Sequence, residues 1–327
     1  MVASLAMVCV DGILSHEHPR PGRHAVSANA QAAAKARLGN PFLARPPFAG
    51  GFPAARSAAR TLRIVDPRGA RALERISRQP LAYWLGPWYS KKQVTALVKK
   101  VTAAAAKQRR TPVFVTYALP ARDCNGHSGG GLSGRKAYRA WSRAIAAGIK
   151  GRPAAVIVEP DGLAMLGECA GQGKRTAMLA YQVKVLSKAG ATVYLDAGHS
   201  SWRSVPVMAK RLKAAGVSRA RGFAVNVSNF GSTAAEKRYA EQLAARLGGK
   251  HYVIDTSRNG RGRGVSWCNP PGRALGTAPR AVVGSGRLDA YLWIKTPGLS
   301  DGSCNGGPTA GTLWPAYAIG LASRAGW

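Results

Sequence analysis

Acidic residues are scarce in this chain, so where they fall carries information about chemistry. Of 327 residues only 14 are Asp or Glu, against 48 Lys and Arg. Six of the 14 lie at or just beyond strand-like apolar runs: Asp123, Glu159, Asp161, Asp196, Asp255 and Asp301. The clearest instance is the run Ala154 to Val158, which ends in Glu159-Pro160-Asp161. Small and β-branched residues without polar alternation read as a strand buried on both faces, and Pro160 cannot donate to a ladder, so pairing stops there. Asp161 is then presented at the C-terminal end of a parallel strand, the edge where α/β folds bind ligands. Other runs end in groups that a core would reject: Trp84 and Trp88, Tyr117, His199 and Trp202, Asn226 and Asn229, Arg258 and Asn259, Trp293 and Lys295. Gathered on one rim, carboxylates, indoles, amides and a lysine suit a neutral polyhydroxylated ligand. Its apolar faces stack on rings while its hydroxyls bond to the polar groups. Cleaving a glycosidic bond needs one protonated carboxyl at the leaving oxygen and an ionised group near the water or the developing cation. Several carboxyls in one cleft meet both needs, because burial and like charge raise one pKa while others stay ionised.

The elements that must position these groups alternate. Seven strand-like runs span Tyr83 to Trp88, Val113 to Leu119, Ala154 to Glu159, Thr192 to Asp196, Gly222 to Val227, His251 to Asp255 and Ala290 to Lys295. Helical spacing covers Lys91 to Gln108, Arg135 to Ile149, Lys174 to Ala189, Val205 to Ala215, Thr233 to Leu247 and Trp314 to Arg324. An earlier helical stretch, Arg56 to Arg78, is broken at Asp66-Pro67. Alternation of this kind implies right-handed βαβ crossovers and a parallel sheet. No GxGxxG follows the first strand, which favours a closed or nearly closed barrel over a dinucleotide fold. One α/β domain is expected over 39–327, with Phe42 to Gly51 extended over the barrel surface. Residues 1–38 mix His, Pro, Arg, Gly and Ala without a period and read as an extension.

The net charge of +34 points first to nucleic acid or an anionic surface. Its distribution argues against a specific nucleic-acid partner. The cations are spread over helical segments such as Lys91 to Arg110 and Arg135 to Arg152, with no dense basic block interleaved with aromatics. They read as solvated outer helix faces. No apolar run approaches the roughly 20 residues that span a bilayer, so no membrane partner is expected, and the chain is expected to act as a monomer. The five cysteines, Cys9, Cys124, Cys169, Cys268 and Cys304, show no zinc spacing, so a metal site is not expected. Two disulfides with one odd thiol would suit an exported protein, although the apolar stretch within Met1 to Ser15 lacks a basic start and is broken by Asp11.

A set of strings then resembles one family. Arg122-Asp123-Cys124, Glu159-Pro160-Asp161, Leu195 to His199, Asn226-Val227-Ser228-Asn229, Asp255 to Gly260, Trp267-Cys268-Asn269 and Ser300-Asp301-Gly302 look like glycoside hydrolase family 6, the cellulases. The resemblance runs from about Asn40 to the C-terminus. It implies a distorted seven-stranded (β/α) barrel that hydrolyses β-1,4-glucan with inversion and without a cofactor. Carried over by position, Asp161 resembles the general acid. Asp123 resembles the carboxylate that raises the pKa of that acid and helps move a proton from the attacking water. Ser128 resembles the hydroxyl that holds this water, and Tyr117 the ring that favours a distorted sugar. Asp301 resembles the residue often proposed as base, a role that is debated. Asp196, Trp202, Trp267, Asn229 and Lys295 look like substrate-binding positions, and His199, Asn226 and Trp84 join them as rim groups. The resemblance pairs Cys124 with Cys169 and Cys268 with Cys304, each tying a catalytic loop, and leaves Cys9 over.

Two departures stand out. Where the family usually has Lys-x-Pro-Gly-Glu-Ser-Asp-Gly, this chain has Leu299 in place of the acidic residue, which removes an expected sugar contact. The positive charge is also unusual for such enzymes. Only about a dozen residues separate Asp301 from Trp314, and the loop after Asp255 is modest, so an open groove and internal cleavage are expected. A processive cellobiohydrolase is the alternative within the family. From other classes, a basic polyanion-binding protein or a sugar-binding relic disabled at Leu299 would bind without turnover.

Overall fold

The apolar runs pair side by side in the order in which they occur. The computed structural model describes residues 39–284 and 286–327, so the expected extension over 1–38 and Cys9 lie outside the described residues. Strands β1 (Tyr83–Leu85), β2 (Val113–Thr116), β3 (Ala155–Val158), β4 (Thr192–Asp196), β5 (Gly222–Val225) and β6 (His251–Asp255) pair in parallel. A two-residue strand, β7 (Arg280–Ala281), pairs antiparallel with β8 (Leu288–Leu292), which itself lies parallel to β6. The sheet order is β1-β2-β3-β4-β5-β6-β8-β7. The seven parallel strands are the expected ones. The eighth is a correction, because two residues are too short to show any period in sequence.

Curling brings the two ends of this sheet together. Leu81, just before β1, forms a single parallel bridge with Trp293, just after β8. The indole Nε1 of Trp84 donates to the Ile294 carbonyl at 2.9 Å across the same junction. Side chains alternate across the sheet with period two. Val113, Val115, Ala155, Ile157, Tyr194, Ala224 and Val253 fill the interior, while Phe114, Val156, Val158, Leu195, Phe223 and Ile254 meet the outer helices.

Those helices are α3 (Lys91–Lys107), α4 (Arg135–Ile149), α5 (Arg175–Lys188), α6 (Val205–Ala214) and α7 (Thr233–Arg246). Helices α1 (Pro53–Leu62), α2 (Pro67–Ser77) and α8 (Pro315–Ser323) form a separate layer over Trp293 and Leu275. Local sequence sets the starts. Ser90 and Gln93 make a reciprocal capping box on α3, and Asp66 accepts from the Gly69 amide at 2.8 Å to begin α2. Helices α3 to α6 contain no Asp or Glu, and Lys91, Lys92, Lys99, Lys100, Lys136, Arg139, Lys184 and Lys188 are exposed, as expected of solvated outer faces. No described helix is long and apolar enough to cross a membrane.

The segment after Asn40 differs from the surface strap expected. Pro41–Ala44 forms a helical turn capped by the Asn40 side chain, and Phe42 is fully buried inside the barrel, stacked 6.4 Å from Tyr194. The Asn40 amide anchors the turn on the Asp289 and Val282 carbonyls at 2.8 and 3.1 Å. A seven-stranded interior leaves a central space that strand side chains do not fill, and an aromatic ring closes it from the end remote from the loops.

Candidate active site

The loops leaving the C-terminal ends of the strands enclose a cleft of about 540 Å³. Its walls include Trp84, Tyr117, Asp123, Ser128, Asp161, His199, Trp202, Asn229, Trp267, Lys295 and Asp301. Asp123, Asp161 and Asp301, separated by up to 178 residues of sequence, therefore face one space. Trp84 and Tyr117 meet edge to face at 5.3 Å, His199 and Trp202 form a second aromatic shelf with rings 5.3 Å apart, and Trp267 stands half exposed at the rim.

Asp161 follows β3 in a left-handed backbone conformation (φ +67°), as does Glu159 (φ +51°). Non-glycine residues pay roughly 1–3 kcal/mol for such conformations, which persist only where surroundings over-determine them. Here the clamp is visible. The buried Glu159 carboxylate accepts from the amides of Ala118 (2.8 Å) and Leu119 (3.0 Å) and from the Tyr138 hydroxyl (3.1 Å). Asp196 accepts from the Asp161 amide at 3.0 Å and from the Gly198 amide at 3.0 Å. The other Asp196 oxygen is buried with no partner among the described residues, and burial pushes this carboxyl upward. The Asp161 carboxyl is in turn raised well above the carboxylate range, first by burial and then by Asp196 and Asp123. A carboxyl kept protonated in a ligand-sized cleft can donate that proton.

Asp123 sits on a strained turn, with Asp123, Cys124 and Asn125 at φ +53°, +44° and +65°. Its Oδ2 accepts from the Ser128 amide at 2.7 Å, and a Cβ at Gly126 would approach that oxygen to 2.8 Å, so a side chain there would displace the carboxylate. Arg122 holds the turn together, donating to the carbonyls of Tyr117 and Ser128 at 2.7 Å each and stacking 4.6 Å from the Tyr117 ring. The Cys124–Cys169 disulfide ties this turn to the segment that follows Asp161.

Asp301 occupies a contrasting environment. Burial opposes its ionisation, but Arg258 (2.8 Å) and Lys295 (2.9 Å) pair with its two oxygens and hold the carboxyl far below the usual range. The Asn269 amide adds a hydrogen bond at 3.1 Å, and the Asn269 side chain returns one from the Asp301 amide at 2.9 Å. Lys295 is lowered by its burial even though Asp301 supports its charge. One carboxyl of the cleft is thus pushed toward its protonated form and another is held toward its ionised form.

Residues 49–325 match the family model described as glycosyl hydrolases, family 6. This chain belongs to glycosyl hydrolase family 6. It is 51% identical over 255 residues to Endoglucanase A of Cellulomonas fimi, an alignment covering 78% of this chain and 56% of that protein. This chain thus spans little more than half the length of that relative. An endoglucanase of Mycobacterium tuberculosis, solved in complex with methyl-cellobiosyl-4-deoxy-4-thio-β-D-cellobioside, superposes with a TM-score of 0.83 at 42% identity. The superposition covers 88% of this chain and 100% of that one. Exoglucanase 3 of Agaricus bisporus is 28% identical over 350 residues, covering 88% of this chain and 79% of that one.

Within this family 6 cleft, two residues expected to meet sugar are not on the wall. Asn226 is fully buried, donating to the Asp255 carbonyl at 2.8 Å and accepting from the Gly231 amide at 2.8 Å. Asp196 lies beneath Asp161, as described above. Both act on backbone geometry because loops that reverse direction at a strand end leave amides and carbonyls that need buried partners. Leu299 pairs with Leu313 in an isolated bridge and is also absent from the wall. Both expected disulfides, Cys124–Cys169 and Cys268–Cys304, are formed. His127 lies near the second of them, but sulfurs bonded to each other offer no thiolate to a metal.

The first disulfide carries a prediction. Replacing Cys124 and Cys169 together by Ser removes a cross-link worth roughly 2–4 kcal/mol against the unfolded chain, and the strained Asp123 turn should relax first. Turnover should fall at denaturant concentrations where circular dichroism still reports a folded barrel. Coincident loss of both signals in wild type and variant would refute this ordering.

Proposed function

We propose that this chain is an inverting endo-β-1,4-glucanase, acting on internal bonds of cellulose or related β-glucans. The observation that carries the reading is the pairing of a carboxyl held protonated, Asp161, with the partly open Asp123 carboxylate and its Ser128 turn in the same cleft. Asp161 gives its proton to the glycosidic oxygen as the bond from that oxygen to the anomeric carbon breaks. Water forms the new bond from the opposite face, and its proton leaves toward Asp123 with Ser128 orienting the solvent. Asp301, paired with two cations and poorly basic, contributes negative potential and positions Lys295 instead of taking the proton. Tyr117 underlies the cleavage subsite, Trp84, Trp202 and Trp267 supply stacking faces, and His199, Asn229 and Lys295 bond to hydroxyls.

Internal cleavage is favoured by the loop after Asp301, which folds down on its own base. Ser300 accepts from the Gly311 amide and donates from its own amide to the Thr312 carbonyl, both at 2.9 Å, and the Trp314 amide reaches the Gly298 carbonyl at 2.8 Å. A segment tied down at its base in this way supports an open cleft. The endoglucanase names of the Cellulomonas and Mycobacterium proteins support the same reading, and the disulfides support export. The test is hydrolysis of cellohexaose followed by NMR, with viscosity of carboxymethylcellulose recorded in parallel. An α-anomer as first product and a fast viscosity drop relative to new reducing ends are expected. A β-anomer would exclude inversion, and cellobiose released without a viscosity drop would assign the chain to the processive class.

A further inference from the structure

Arg263 lies at the tip of the loop between β6 and β7, the loop that carries Trp267. Arg273 fixes the backbone of that tip, its guanidinium donating to the carbonyls of Arg261 (3.2 Å), Gly262 (3.0 Å) and Arg263 (2.6 Å). The Arg263 side chain then crosses to the loop after β4. Its Nη2 lies 3.0 Å from His199 Nδ1, 3.1 Å from Ser200 Oγ and 3.6 Å from the buried carboxylate of Glu236. Glu236 sits on α7 and also accepts from the Ser200 amide and hydroxyl. One guanidinium therefore joins the Trp267 loop, the His199–Trp202 shelf and α7.

The contact also decides the state of His199. Arginine has donors only, and the Ser201 amide approaches the same His199 Nδ1 at 3.3 Å. A nitrogen facing two donors must be the acceptor, so the ring proton sits on Nε2. His199 lines the cleft, and among the described residues its Nε2 has no hydrogen-bond partner. We propose that Arg263 is a positioning residue that latches the Trp267 loop to the opposite wall and fixes His199 as the Nε2–H tautomer, so that His199 offers a sugar hydroxyl a hydrogen-bond donor. Burial and the Arg263 charge together lower the His199 titration to about 4, so this donor stays neutral through the mildly acidic range.

The claim about affinity rests on the β-glucan reading of the cleft, whereas the state of the ring is observable without substrate. Proton–nitrogen correlation spectra of the histidine rings, with His199→Ala assigning the signal, should show a bare Nδ1 and a protonated Nε2 in the wild type. In Arg263→Ala the His199 midpoint should rise by about one pH unit or more. The KM for cellohexaose should rise about 5-fold to 20-fold while kcat changes less than about 2-fold. Arg263→Lys keeps the charge, but its ammonium ends about one bond short of Nη2 and does not reach His199, Ser200 and Glu236 together, so it should hold the midpoint low without restoring KM, and it serves also if the alanine variant folds poorly. A proton on Nδ1 in the wild type, or an unmoved midpoint in Arg263→Ala, overturns the latch. A moved midpoint with unchanged KM overturns its role toward substrate. Absence of any hydrolysis by the wild type would instead count against the β-glucan reading, with the ring spectra still deciding the latch.

Discussion

Asp161→Asn should leave a folded protein whose turnover of β-glucan is reduced by about 10² to 10⁴, the usual contribution of one general acid. The amide matches the carboxyl in shape but cannot protonate a leaving oxygen, so kcat should fall far more than affinity for cello-oligosaccharides. The pH profile supplies the sign. A raised folded-state pKa means that the protonated, competent form survives well above the ordinary carboxylate range and is lost as pH rises through the raised value. The alkaline limb of kcat/KM in the wild type should therefore report this group, and it should vanish in the residual activity of the variant. Stability should move the other way. Because Asp161 is raised on folding, its contribution is fully present below the unfolded value of about 3.9 and is lost as pH rises through the folded one. Asn carries no such penalty, so the variant should melt at or above the wild-type temperature at neutral pH. A variant that retains turnover within a few-fold of wild type would remove Asp161 from the acid role.

What could be read from the chain, and what could not, follows from the range of each interaction. The run Ala154 to Val158 ending in Pro160 identifies β3 and its edge because strand propensity and loss of a donor are local properties. Seven such runs located the rim, and with it the cleft bearing Asp123, Asp161 and Asp301. The same pattern does not separate carboxylates that meet ligand from those that anchor backbone. Asp255 and Asp196 end their strands just as visibly, yet Asp255 accepts from the Ser228, Ser257 and Lys295 amides at 3.0, 2.9 and 2.9 Å, entirely below the cleft. Partners distant in sequence were invisible for a different reason. Arg258 stands 43 positions from Asp301, and nothing near either residue announces that they pair. Arg122 lies within a recognised string, but its contacts with the carbonyls of Tyr117, Ser128 and Gly129 exist only once the 117–131 loop has closed. Phe42 belongs to a proline-rich stretch that reads as surface, and its place inside the barrel follows from a space created by seven strands together.

Arg258→Ala should be the most destabilising single change among the charged residues of the site. Arg258 is fully buried, pairs with Asp301 Oδ2 at 2.8 Å, donates to the Ser228 carbonyl and lies 4.3 Å over the Phe230 ring. Removing one partner of a buried pair leaves an uncompensated charge, at a cost of about 3–5 kcal/mol. Lys295 remains on the other Asp301 oxygen and should keep the loss toward the lower figure. The pH dependence separates this from a cavity effect. Asp301 is lowered on folding, so its contribution is present above the unfolded value of about 3.9 and disappears as pH falls through the lower folded value. With Arg258 gone, the folded value should climb toward the ordinary range, and the acid-unfolding midpoint should climb with it. The difference in stability between wild type and variant should then be large at pH 7 and shrink in acid. Combining Arg258→Ala with Asp301→Asn gives the decisive comparison. The charge stranded by the first change is neutralised by the second, so the double variant should be more stable than the sum of the two single losses by about 1–3 kcal/mol. Strict additivity in urea melts would mean that the two side chains do not act as a pair. Turnover in both single variants should fall, because Asp301 holds Asn269 and Lys295 while Arg258 holds the Ser228 carbonyl.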